Sequence, residues 1–282
     1  MKKEEELCLL SNVKKSDVFH EPFPHIIIRD TISPELIEEL IKRHPPLEVV
    51  TKRELLGSNK RFDYTVKDIQ ADKTVDTLWS DFIQAQAGKV FLSKIFELFG
   101  EDMVKLYPKT FPTIPTVETF TSGTRFIDSR EDQRILLDAH ISVNSPVVDT
   151  PDSVRAGHVD DPRKLYSGLF YMRRDNDDSK GGDLELYQFK RKKFKMYGQG
   201  IDDKYLKLIK TVPYEKNVLV LFLNSIDSLH GVTVREKTEH PRYFVNLIGE
   251  LKEPLFDIKK YQEGVIARKL RRIKKILPKL LK

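Results

Sequence analysis

The chain has 282 residues, 39% hydrophobic and 33% charged, with a single cysteine and a formal net charge of +6. One cysteine excludes a disulfide framework within the chain and a structural zinc or iron–sulfur site built on thiolates. Residues 266–282 hold eight of the 49 basic side chains and none of the 43 acidic ones, so the body is near neutral and the basicity belongs to a tail, which argues against a nucleic-acid-binding surface.

The length suits one core with elaborations. The N-terminal MKKEEELCLL mixes acids with lysines and lacks a long apolar run, so it makes a poor signal peptide. Cys8 reads as a small apolar residue near a mobile terminus. PHIIIRD (24–30) predicts a short buried strand. In TISPELIEELIKRHPP, Ser33 can cap a helix, Pro34 fits its first position, and Pro45 with Pro46 stops it. A second helical stretch is expected from about Thr74 to Phe99, with Leu78, Phe82, Val90, Ile95 and Leu98 among its apolar positions. Gly88 divides it and Gly100 closes it.

From about residue 115 the pattern changes to short strands: RILLDAHISVN, KLYSGLFYMR, GGDLELYQF, KNVLVLFLN, HGVTV and RYFVNLIGEL. Together with the helices upstream they predict an α+β, mainly β chain, an antiparallel sandwich or barrel buttressed by helices on one side. Residues 190–210 read as an inserted loop or short helix whose lysines and arginines are solvated or line a mouth for an anionic substrate. The apolar run VLVLFL (218–223) is too short to span a bilayer, so a soluble, cytoplasmic protein is expected. In the tail, Ile266, Leu270, Ile273, Leu277 and Leu280 form an apolar stripe among basic residues. Such a basic amphipathic helix can dock on the body, lie peripherally on an anionic membrane or bind an acidic partner.

The chemistry concentrates in three places. His158 and Asp160 are separated by one residue, so in extended backbone they share a face. His230 follows the apolar strand at 218–223, and Arg242 opens the next strand. Two imidazoles and one carboxylate form a facial set with open positions on an octahedral metal, the arrangement of non-haem Fe(II) oxygenases. Arg242 is then a fixed cation able to take a carboxylate in a bidentate pair. Asn246 follows Arg242 at an even spacing and shares its strand face, a candidate for the pocket wall. His140 lies on a strand, where a hydrogen-bonded core histidine is the simpler reading, with the reservation that this strand could face the pocket. His20, His25, His44 and His240 suit polar turns. Arg155 and Asp161 flank the motif, where they either contact substrate or brace the turn, bracing being the simpler role, and GGD (181–183) reads as turn chemistry.

Five elements, HVDDP, GLFYM, GGDLELY, LFLNSIDSLHGV and PRYFVNLIGE, stand in the order found in a known family. The stretch from about 137 to 250, some two fifths of the chain, resembles the double-stranded β-helix (jelly-roll) core of Fe(II)/2-oxoglutarate-dependent oxygenases, most of all their prolyl-hydroxylase-like branch. The resemblance implies N-terminal support helices (1–114), a jelly-roll oxygenase core (115–255) and the basic tail (256–282). It implies that His158, Asp160 and His230 bind Fe(II), that Arg242 pairs with the distal carboxylate of 2-oxoglutarate, and that the Tyr171 hydroxyl contacts the same carboxylate. O2 is then the oxidant, with ascorbate supportive. The implied activity is hydroxylation of an unactivated C–H bond in a small-molecule, saccharide or peptidyl substrate, with release of succinate and CO2. With Asp160 present, the position that the family's halogenases leave to chloride is filled, which favours hydroxylation. A protein prolyl hydroxylase is the alternative within this chemistry. A non-catalytic jelly-roll binding protein, acting at a membrane or complex through its basic tail, is the alternative outside it. Substrate and oligomeric state stay open.

Overall fold

The computed structural model describes residues 2–153, 155–190 and 196–261; most of the basic tail, with its apolar stripe, lies outside them. The helices are α1 (Lys2–Leu7), α2 (Pro34–Lys42), α3 (Leu47–Val50), α4 (Val66–Ala71), α5 (Thr77–Gln86) and α6 (Lys89–Leu106). The early strands are β1 (His25–Arg29), β2 (Arg61–Tyr64), β3 (Ser122–Thr124), β4 (Ile135–Asn144), β5 (Lys164–Tyr171) and β6 (Leu184–Phe189). The later ones are β7 (Met196–Tyr197), β8 (Gly200–Ile201), β9 (Leu206–Val212), β10 (Val218–Leu223), β11 (His230–Val232) and β12 (Arg242–Leu251).

The major sheet runs β1-β10-β5-β12-β4-β2, with β3 added parallel to one end of β4; a smaller sheet runs β11-β6-β9. Period-two alternation gives β4 two unlike faces. Ile135, Leu137, Ala139, Ile141 and Val143 join Leu219, Leu221, Val245 and Leu247 against Trp79, Phe82, Phe91 and Phe99 of α5 and α6. Each of these large side chains contributes about 2 kcal/mol by leaving water. The opposite face of β4 carries Asp138, His140, Ser142 and Asn144, paired across the ladder with Ile248, Asn246, Phe244 and Arg242 of β12. That polar face looks into the space between the sheets. A second apolar cluster, including Tyr171, Leu184, Leu186, Val220 and Phe222, closes the rest of the gap.

Several local expectations need correction. Cys8 lies in the core rather than at a mobile end. Gln86 anchors that segment, accepting from Leu9 N at 2.9 Å and donating to Leu7 O at 2.8 Å. Gly88 does divide the long helical stretch, as the N-cap of α6, but Gly100 does not end it. The helix continues to Leu106, and Gly100 provides the close approach of Ile114, whose Cγ2 would sit 2.6 Å from a Cβ there. Within 190–210 the structure places a short 3-10 helix at Asp203–Tyr205, in line with the expectation, but also the β7–β8 hairpin and the start of β9, an edge strand of the smaller sheet; residues 191–195 lie outside the described set. Ser33 caps α2 as expected, accepting from Leu36 N at 3.2 Å. Among the described residues, no helix is long and apolar enough to cross a membrane.

Candidate active site

His158 and His230 face each other across a β-bridge in which each backbone N–H donates to the other's carbonyl, at 2.9 and 3.0 Å. Residues paired in this way project their side chains to one side, so both rings enter the inter-sheet space, with centroids 4.2 Å apart. Asp160, two residues on, shares that side. Its oxygens lie 3.8 Å from His158 Nε2 and 3.9 Å from His230 Nε2. All three side chains are buried, and one ligand atom from each lies within 4.8 Å of the others.

The far nitrogens fix the rings. His158 Nδ1 donates to the Ala156 carbonyl at 2.8 Å and His230 Nδ1 to the Ser228 carbonyl at 2.9 Å. A carbonyl only accepts, so Nδ1 carries the proton and Nε2 offers a lone pair to the centre. Burial holds both imidazoles below their ordinary pKa and hence neutral. Burial opposes ionisation of Asp160, yet neighbouring charges, with Lys164 foremost and Arg155 among them, hold it well below the usual carboxylate range. Lys164 Nζ lies 3.3 Å and Arg155 Nη1 3.5 Å from the carboxylate, and Ser167 Oγ donates to it at 2.6 Å. Two neutral nitrogens and a carboxylate on one face suit Fe(II).

A second set of groups forms an anion-binding end. Arg242 is buried at the start of β12, its Cζ 4.9, 5.0 and 4.8 Å from the ring centroids of Tyr171, Tyr214 and Phe244. Its Nη1 donates to Asn144 Oδ1 at 3.3 Å. Arg242 Nε and Nη2 and Asn144 Nδ2 are buried without close hydrogen-bond partners, and the buried Tyr171 hydroxyl has the Arg242 guanidinium beside it. Among the described residues no carboxylate pairs with Arg242. A buried cation without a counter-ion is costly, so these donors could take an anion such as a carboxylate. Gly182, at φ +83°, makes room for the arginine: a Cβ there would lie 3.1 Å from Arg242 Cδ and 3.2 Å from Arg235 Cδ. Arg235 is itself buried, donating to Asn59 Oδ1 at 2.8 Å and to the carbonyls of Ser145 and His240 at 3.0 and 2.8 Å.

One cavity of about 300 Å³ joins the two sets. Its walls include His158, Asp160, His230, Arg242 and Asn246. Tyr171 stands behind Arg242 within the apolar cluster between the sheets. Arg61, Asn144, Lys164 and Ser167 also line the cavity, and none of them was singled out from the sequence. Asn144 had a readable signal: in ILLDAHISVN, polar residues recur at every second position of an otherwise apolar strand, marking a polar inner face.

Arg155 does more than brace the turn, since it too lines the cavity, with Nη2 donating to Gln199 Oε1 at 2.6 Å. Asp161 braces, accepting from Arg163 N at 2.9 Å and Nε at 3.1 Å. His140 shares the face of Asn246 but is engaged elsewhere, with Nε2 2.6 Å from Asp138 and Nδ1 3.7 Å from Asp63. His20 and His240 pair with Asp102 and Asp178 at 3.1 and 3.4 Å. His25 is buried at the start of β1 rather than in a polar turn; it and His44 donate through Nδ1 to the carbonyls of Phe23 and Pro45 at 2.8 and 2.7 Å.

No family model matches the chain, and no curated protein matches it in sequence. Among solved structures it is similar to a prolyl hydroxylase from Trichoplax adhaerens, solved in complex with a hypoxia-inducible-factor oxygen degradation domain peptide fragment. The TM-score is 0.51 and the identity 13%, over 89% of this chain and 92% of that one. Similarity to a prolyl 4-hydroxylase of Phytophthora capsici gives a TM-score of 0.43 at 12% identity, over 89% of this chain; the chain spans 64% of that protein's length. A Pseudomonas putida prolyl-4-hydroxylase gives 0.41 at 11% identity, over 80% and 92%. The Trichoplax likeness establishes the fold, a mixed α/β chain with a sheet-rich core of the kind prolyl hydroxylases have.

Proposed function

We propose that this protein is an Fe(II)- and 2-oxoglutarate-dependent oxygenase that hydroxylates an unactivated C–H bond. The observation that carries the proposal is the meeting, in one cavity, of a His158–Asp160–His230 donor set and a buried Arg242 with no carboxylate partner among the described residues. Iron with 2-oxoglutarate and O2 supplies the oxidising power, and the co-substrate leaves as succinate and CO2. The two Nε2 lone pairs and the Asp160 carboxylate would hold the metal. Hydrogen bonds from His158 and His230 to backbone carbonyls, and from Ser167 to Asp160, keep these ligands aimed before any metal arrives.

Arg242 and Asn144 Nδ2 would grip the distal carboxylate of 2-oxoglutarate, with Tyr171 packed behind the arginine, which sets the direction in which its other end reaches the metal. Asn246 contributes to the adjoining wall. Leu169, Leu184, Phe222 and Phe244 make the remaining walls apolar, limiting water and shielding the reacting centre. With Asp160 as the third ligand, hydroxylation is favoured over halogenation. The peptide in the Trichoplax structure belongs to that protein, and at 13% identity the likeness supports the fold and leaves the substrate to be argued from the cavity.

Equilibrium dialysis of labelled 2-oxoglutarate under anaerobic conditions, with and without Mn(II), tests the reading. One equivalent should bind to the wild type only when metal is present, and Asp160→Ala and Arg242→Met should lose it. Binding that ignores the metal, or no binding at all, would remove the basis of the proposal.

A further inference from the structure

Four cations, Arg61, Arg155, Lys164 and Arg242, line the cavity, and Asp160 is the one carboxylate among its lining residues. On the oxygenase reading, on which this inference rests, a divalent metal, Asp160, a dianionic co-substrate and Arg242 leave no net charge between them. Arg61 is matched by Asp63, with Nε 2.9 Å from Oδ1. Arg155 and Lys164 remain. Without metal both lean on Asp160, at 3.5 and 3.3 Å, but a divalent ion on that carboxylate takes over its charge and leaves two cations uncompensated.

Two of the three cations outside the co-substrate end have partners of their own. Arg155 is tied to Gln199, and Arg61 is fixed by Asp63 and stacked over Phe244, its Cζ 5.2 Å from the ring centroid. The side chains of Arg155 and Lys164 are 42% and 20% exposed, which places them towards the mouth, where a substrate enters. The other lining residues are apolar or neutral, and Asp160 is the only acid among them, so no other wall residue answers a surplus of two positive charges.

We infer that the substrate carries a dianionic phosphoryl group, a phosphate ester of a small molecule, gripped by Arg155 and Lys164 with Arg61 beside them, so that its carbon part lies towards the metal. A guanidinium fork beside an ammonium point charge matches the several oxygens of a phosphate. A single carboxylate would neutralise only one of the two.

Calorimetric titration of the Mn(II)- and 2-oxoglutarate-loaded protein, without O2, tests this with phenyl phosphate as probe and benzoate and phenol as controls. Metal and 2-oxoglutarate occupancy are measured first for every variant. Phenyl phosphate should bind at one site at least tenfold more tightly than benzoate, with phenol weaker still. Arg155→Gln and Lys164→Gln should each weaken it roughly tenfold or more, the scale of a lost charge-assisted hydrogen bond, and Lys164→Arg should restore most of the affinity. Because Arg155 and Lys164 touch Asp160, Arg61→Gln serves as the variant that touches no metal ligand, and it should weaken phenyl phosphate severalfold. Equal binding of phenyl phosphate and benzoate, or affinity unmoved by all three glutamine variants, would overturn the inference while the oxygenase reading stood. Absence of metal-dependent 2-oxoglutarate binding in the first step would overturn both.

Discussion

Replacing Arg242 by methionine separates what the arginine does for the fold from what it does for a ligand. In the ligand-free protein its Nε and Nη2 are buried without partners, at a cost of about 1–3 kcal/mol each. Against this stand one hydrogen bond to Asn144, worth about 1 kcal/mol, and three ring contacts of about 0.5–2 kcal/mol each. These nearly cancel, so Arg242→Met should change ligand-free stability by no more than about 1.5 kcal/mol, although truncating one partner of a satisfied buried ion pair costs about 3–5 kcal/mol. Ligand-dependent stability behaves differently. At a hundredfold excess over its dissociation constant, 2-oxoglutarate with Mn(II) should stabilise the wild type by about 2.7 kcal/mol, or roughly 5–11 °C in melting temperature for a domain approaching this size. The variant should show almost none of this. Thermal melts with and without the ligand pair measure both quantities. A variant that melts far below the wild type without ligand, or one that keeps the full ligand shift, would refute the reasoning.

Three further outcomes are expected. Ser167→Ala removes the donor to Asp160 Oδ2 and should weaken metal binding by about ten- to a hundredfold, read by competition with a chromogenic chelator, while the melting temperature of the metal-free protein stays near that of the wild type. His44 is held at a pKa of about 4 by burial against Trp79 and Tyr243, so the unfolded chain takes up a proton first as pH falls, and stability drops from about pH 6.5 down to 4. Between pH 7 and 4.5 the wild type should therefore lose about 2 kcal/mol more than His44→Gln in urea unfolding. His140 is raised by Asp138 and Asp63 despite its burial and acts in the opposite sense in both proteins, so their difference isolates His44; equal losses would contradict the assignment. Gly182→Ala forces a side chain onto φ +83° beside both buried arginines. It should cost about 1–2 kcal/mol from the backbone alone, and 2-oxoglutarate affinity should fall because Arg242 must move; unchanged affinity in dialysis would show that the glycine does not set the arginine's position.

Much of the frame was legible because its strands are contiguous apolar runs. VLVLFL reads as a buried strand at its length, and RYFVNLIGEL with RILLDAHISVN became the longest antiparallel pairing of the major sheet. The spacing of His158 and Asp160 was readable because it is local, whereas the pairing of His158 with His230 is a long-range bridge that no local pattern specifies. β9 escaped because LKLIKTV is an edge strand whose residues 207–211 are all exposed, leaving only Leu206 and Val212 to mark burial. Gly100 misled because a helix-ending glycine and a glycine that admits a neighbouring chain look alike until Ile114 is placed against it. Lys164 and Arg61 carry ordinary polar side chains at strand starts, and Ser167 is a lone small polar residue within β5. Only the register of β5 and β2 in the sheet turns them towards one cavity.

The measurement that bears most directly on the whole account is succinate formation from 2-oxoglutarate by the purified protein with Fe(II), ascorbate and O2, run beside Asp160→Ala and Arg242→Ala. A slow reaction uncoupled from substrate should yield succinate that requires both iron and O2 and disappears in both variants. Succinate that persists in the variants at the wild-type rate, or a wild type that forms none with metal and 2-oxoglutarate shown to be bound, would contradict the assignment of this cavity as an oxygenase site.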